Sequence, residues 1–194
     1  LQERTGNTRL LKGTMTTEPI VFIKTLPSPG VRIGTNELVT VNDQVFNPDT
    51  GEVETITKLE RRISIGDWDE TDAATNQHYS TEIPREMGHN WASTEAVSNV
   101  LPNDVGYWDS FTVISGWTAE RPADILFYEL SKDNMWWFFK DAKMVEDFSK
   151  TNPVEDFASV WKLYFDPDSS SLEKQRMLTK MTKVDELFTK LEIF

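Results

Sequence analysis

Two stretches, Arg85-Glu86-Met87-Gly88-His89-Asn90-Trp91 and Thr151-Asn152-Pro153-Val154-Glu155-Asp156-Phe157-Ala158, decide how this chain is read. On a helix, positions 85 and 89 stand at i and i+4, one turn apart on the same face. Two histidines at that spacing can share a zinc ion, and a Glu directly after the first points at the metal-bound water as a general base. Glu86, Gly88 and His89 occupy the places this pattern requires, but Arg85 stands where the first histidine would be. The second stretch reads as the opening of another helix, with Asn152 at the N-cap and Pro153 at the first helical position. Val154, Phe157, Ala158, Trp161, Tyr164 and Phe165 recur at helical spacing, so the helix is predicted to run to about Phe165, where Asp166-Pro167-Asp168 stops it.

In this order, with Glu155 lying 66 positions after His89, EMGHNW and TNPVEDFA resemble the bacterial gluzincins. These are metallopeptidases whose third zinc ligand is a Glu from a later helix that opens with an E-D-F-A-like sequence. The segment between, YWDSFTVISGW from Tyr107 to Trp117, is similar to that group as well, and the resemblance covers about residues 60 to 165. It implies an α+β, zincin-like metallopeptidase domain with His89 as second zinc ligand, Glu155 as third and Glu86 as general base. Arg85 is the departure. A guanidinium does not deprotonate to become a ligand, and it repels a dication. The expectation is that Arg85 replaces the metal's charge and pairs with Glu155 or Glu86. Any metal that binds would be zinc.

Each of these residues also has a plainer reading. His89 alone reads as a structural histidine, and Glu155 at N3 completes a capping box with Asn152. The other histidine, His78, is 11 positions from His89, roughly 16 Å along a continuous helix. The two could share a metal only if the chain breaks at Pro84, which must kink the helix over 72–91 or restart it. Tyr79, Tyr107, Tyr128 and Tyr164 are candidates for a transition-state hydrogen bond. Asp67-Trp68-Asp69-Glu70-Thr71-Asp72 and Asp166-Pro167-Asp168-Ser169-Ser170 offer oxygen ligands for structural calcium, but they lack EF-hand spacing and read first as solvated turns.

Working outward, residues 1–70 form a β-rich portion. Ile20-Val21-Phe22-Ile23 is a short strand closed by Leu26-Pro27-Ser28-Pro29-Gly30. Thr40–Phe46 and Val53–Ile65 are predicted arms of a hairpin turning at Asn47-Pro48-Asp49-Thr50-Gly51. Residues 71–165 form the motif-bearing helical portion, with helices expected over Tyr107–Trp117, Val113 and Trp117 sharing a face, and over Ala123–Phe139. Trp136–Phe139 reads as core, or as a platform for stacking sugars. An amphipathic helix over 171–194 packs on the body or serves as a partner-binding arm. The three portions make one domain, 1–194.

Composition narrows the function classes. With 38% hydrophobic residues and seven Trp, the chain can bury a core, and no apolar run approaches the length that spans a bilayer. A net charge of −12 disfavours nucleic acid and anionic lipid as partners, leaving peptide or protein. The absence of cysteine excludes disulfides and thiol catalysis. Acidity suits a secreted or cell-surface protein, the location expected here, though it suits many cytosolic proteins too, and the first residue, Leu1, suits a mature form or a fragment. Three functions remain. The leading one is a metallopeptidase-family domain with a degenerate zinc site, a pseudoenzyme kept as a binding or structural module. The others are a working zinc-dependent peptide hydrolase that recruits an unrecognised ligand, and a non-enzymatic extracellular assembly protein.

Overall fold

The computed structural model describes residues 20–25, 35–66, 73–92 and 106–190, and they form a mixed α+β structure. Strand β2 (Thr35–Asn47) runs antiparallel to β3 (Glu52–Gly66), with Phe46 opposite Val53. The turn between them is set by local chemistry. Asn47 accepts the Gly51 amide at 2.9 Å through its carbonyl, and its side chain takes the Asp49 amide at 3.0 Å. Gly51 sits at φ +73°, where a side chain would be strained. Strand β1 (Val21–Thr25) pairs in parallel with the far end of β3, Phe22 opposite Ile63, giving the order β1-β3-β2. Ile20 and Ile63 enter the core at this root, whereas Phe46 and Val53 at the tip are exposed. β2 begins earlier than the predicted arm because Asn36 is held by the helical portion, as described below.

Helix α1 (Ala73–Gly88) runs through Pro84, which contributes no N–H to its ladder, and tightens into a 3-10 turn at His89–Trp91. Helix α2 (Tyr107–Ile114) is shorter than expected. Gly116, at φ +80°, turns the chain, and Trp117 enters strand β4 (Trp117–Thr118). Val113 and Trp117 therefore share no face: Val113 is 72% exposed and Trp117 is buried.

Ala123–Phe139 is not a helix. It forms a 3-10 turn at Ile125–Phe127 and strands β5 (Tyr128–Leu130) and β6 (Trp137–Phe139), with β6 between β4 and β5 in a second sheet. The reversal is built by Asp133, whose carboxylate accepts the Met135 amide at 3.0 Å and the Ser131 hydroxyl at 2.6 Å, and by Asn134 at φ +62°. The aromatic run then alternates with the period of a strand. Phe138 points inward onto Trp117, ring centroids 5.2 Å apart, while Trp137 and Phe139 are half-buried.

Helix α3 (Pro153–Phe165) is the centre of the core. Phe157 meets Tyr107, Trp108 and Phe111 of α2, and Trp161 meets Phe165 and Phe188. Against α1 it comes so close that a Cβ on Gly88 would lie 2.9 Å from Trp161 Cγ and 3.1 Å from Ala158 Cα. The expected C-terminal helix is two: α4 (Ser171–Arg176) and α5 (Leu178–Lys190). Ser170 and Glu173 make a reciprocal capping box at its start. The break falls at Met177, whose amide is shared between the Glu173 and Lys174 carbonyls. Met181, Val184, Leu187 and Phe188 pack inward, so α5 is part of the core.

The ion pair between Asp156 and Lys180 lies in the core. Asp156 accepts from Lys180 Nζ at 2.6 and 2.9 Å and from Trp117 Nε1 at 2.9 Å. Burial pushes the Asp156 carboxyl up and the Lys180 ammonium down, and each charge offsets the other's shift.

Two outcomes follow for unfolding in urea. Gly88→Ala should lower stability by about 1–3 kcal/mol, because the obstacles are the Trp161 ring base and α3 backbone. Lys180→Met should cost about 3–5 kcal/mol by stranding Asp156, and adding Asp156→Asn should recover most of that loss.

Candidate functional site

The site lies where the end of α1 crosses the start of α3. Asn152 caps α3 by accepting the Glu155 amide at 2.9 Å, which fixes Glu155 at the third helical position with its side chain toward α1. Arg85, one turn before His89, is almost fully buried at 7% exposure. Its Nη1 donates to Glu86 Oε1 at 2.7 Å and its Nη2 to Glu155 Oε2. His89 Nε2 stands 3.5 Å from that same Glu155 oxygen. The four residues singled out by the motif and the resemblance thus converge, and Arg85 pairs with both Glu86 and Glu155.

Several residues that the sequence pattern missed complete the enclosure. The Phe148 ring lies under the guanidinium, 4.9 Å from its carbon to the ring centroid, a cation–π contact. The Asn36 amide donates to the Glu86 carbonyl and to Asn90 Oδ1, the latter at 2.9 Å, while its oxygen accepts from Arg61 Nη1 at 3.1 Å. The root of the β2–β3 hairpin therefore clamps the helix end that carries Glu86 and His89. No short motif could reveal Asn36, Arg61 or Phe148, because each acts across a long sequence separation.

Burial, and then the charges of Arg85 and Arg61, push the His89 imidazole down to about 3. His89 is therefore neutral near pH 7, and its approach to Glu155 is a dipolar contact rather than an ion pair. A neutral imidazole is the form that binds metals, yet among the described residues His89 and Glu155 have no third ligand beside them. A metal held by His89 and Glu155 would have to displace a guanidinium already bonded to the same Glu155 oxygen. Among the described residues, no group of three or more His, Asp or Glu is placed to hold a metal ion.

The other candidates fall elsewhere. The His78 side chain and the acidic segment Asp67–Asp72 lie outside the described residues. Asp166–Ser170 closes on itself as a turn, with Asp166 Oδ1 accepting the Asp168 amide at 2.9 Å and its carbonyl accepting the Ser169 hydroxyl at 2.9 Å. The Tyr107 and Tyr164 hydroxyls donate to the Lys183 carbonyl and to Asp185, and Tyr128 belongs to the second sheet. Tyr79 is buried on α1. Among the described residues, no helix is long and apolar enough to cross a membrane. No family model matches this chain, and neither does any curated protein or solved structure at a significant level.

The His89 shift has a definite sign. An imidazole whose folded value lies near 3 against 6.5 unfolded stabilises the fold above pH 6.5, and that contribution is lost as the pH falls from 6.5 toward 3. Urea unfolding across this range should show stability declining with acid, and His89→Gln should flatten the decline. An unchanged slope in that variant would mean His89 is accessible and titrates normally.

Proposed function

We propose that this chain is a zincin-like, gluzincin-related domain in which an internal arginine–carboxylate cluster has taken the place of the metal. It acts as a binding or structural module for a peptide or protein and not as a peptide hydrolase. The observation that carries this reading is the position of the Arg85 guanidinium, bonded to Glu86 and Glu155 with His89 beside the same oxygen. Residues 85, 86, 89 and 155 would hold and activate zinc in a gluzincin, and here Arg85, Glu86 and Glu155 form a closed salt bridge with the neutral His89 beside it. A fixed cation bonds both carboxylates and offsets part of their charge without metal, and truncating it would strand buried negative charge, which is a strong penalty. Hydrolysis in this family needs a metal-bound water facing a free general base. Here Glu86 Oε1 is spent on Arg85. The strong acidity of the chain, net −12, and the absence of a long apolar helix among the described residues support a peptide or protein partner over nucleic acid or lipid.

The test is a zinc titration with elemental analysis, run on the native chain and on Arg85→His. The native protein should carry no stoichiometric zinc and show no chelator-sensitive peptide cleavage. Arg85→His, checked for folding by near-ultraviolet circular dichroism, should bind zinc roughly tenfold tighter or more, because it restores a third protein ligand. Stoichiometric zinc in the native chain would overturn the reading, and so would a folded Arg85→His protein with no gain in zinc affinity.

A further inference from the structure

Away from the Arg85 cluster, a cleft of about 350 Å3 opens between the end of α2, the second sheet and the junction of α4 with α5. Its lining is mixed, with Val113, Ile114, Tyr128, Phe139 and Met177 supplying the apolar part. Lys143 and Arg176 also line it, and both side chains are exposed. Among the described residues neither makes a salt bridge. Arg176 acts on Glu173 through charge alone, and that carboxylate is hydrogen-bonded in the capping box with Ser170. Lys180 lines the cleft too, but its charge is neutralised by Asp156. Ser115 adds a buried hydroxyl that has no hydrogen-bond partner among the described residues.

On a chain of net charge −12, two cations without a salt bridge among the described residues, set beside a cleft with an apolar part, are a local reversal of sign. Pockets that combine apolar walls with a few convergent polar groups are the usual form of a small-molecule site. Asp141 on the lining returns one negative charge, which favours a monoanion over a polyphosphate. We propose that this cleft binds a small amphipathic carboxylate, its hydrocarbon body against Val113, Ile114, Tyr128 and Phe139 and its carboxylate between Lys143 and Arg176. The Ser115 hydroxyl is the further polar group available to such a ligand. The site is independent of the zincin-like reading, since none of its residues belongs to the Arg85 cluster.

The experiment is a titration of the isotopically labelled chain with 3-phenylpropanoate, followed by amide chemical shifts, with 3-phenylpropanamide as the neutral control. The acid should bind saturably, with shifts centred on residues 113–116, 139–143 and 176–180, and its affinity should weaken as ionic strength rises. Lys143→Ala/Arg176→Ala, both at exposed positions, should keep the native spectrum and bind the acid about tenfold more weakly or worse. The proposal is overturned by a non-saturating response, by equal binding of the amide, or by a double variant that binds the acid as well as the native chain does.

Discussion

Helix α3 has to satisfy two carboxylates on consecutive residues, and much of the molecule is arranged to do so. Glu155 and Asp156 project about 100° apart around the helix, so they cannot share one cation. Glu155 turns to Arg85 of α1, and Asp156 turns to Lys180 of α5 and to Trp117 of β4. Each pair removes charge from water, a cost that only close geometry and added hydrogen bonds offset. Three elements are thereby fixed around one helix. The absence of a side chain at Gly88 lets α1 approach near enough for Arg85 to reach across, and Lys162 adds a bond to Glu82 at 2.6 Å on the same interface.

The Arg85 cluster is consistent with this arrangement in its electrostatics. Buried Glu86 and partly buried Glu155 require a positive partner, and a guanidinium supplies one with directed donors that can serve two carboxylates at once. The same cation lowers the proton affinity of His89, so the imidazole stays neutral beside it. Phe148 and the Asn36–Arg61 contact close the cluster from the loop before α3 and from the hairpin root. The β-rich portion is thus joined to the helices by polar contacts as well as by Ile20 and Ile63 in the core.

Much of the fold was legible where the signal is local. The Asn47–Gly51 turn, the hairpin arms and the Asn152 cap each depend on residues within a few positions, and each is present. The region from Ala123 to Phe139 was misread because Trp136–Phe139, a run of large aromatics, carries no clear period by composition alone. Asp133, Asn134 and the pairing with Trp117 turn it into strands. The division of the C-terminal helix at Met177 was likewise hidden, since the apolar spacing continues through the break. Glu155 was expected to complete a capping box with Asn152. Asn152 takes the Glu155 amide as expected, and the carboxylate reaches Arg85 instead, because a full positive charge holds it more strongly than a backbone amide does.

The sequence by itself determined the turn chemistry, the helix starts and the spacing that places Arg85 and His89 on one turn, because these follow from backbone geometry over short separations. It also set the exclusion of disulfides and the strong acidity, which are matters of composition. Only the tertiary structure decided that Glu155 meets Arg85, that Asp156 meets Lys180, and that Asn36, Arg61 and Phe148 join the cluster. Those contacts depend on how α1, α3 and the hairpin pack. That packing follows from the joint burial of side chains far apart in the chain, together with the close approach allowed at Gly88.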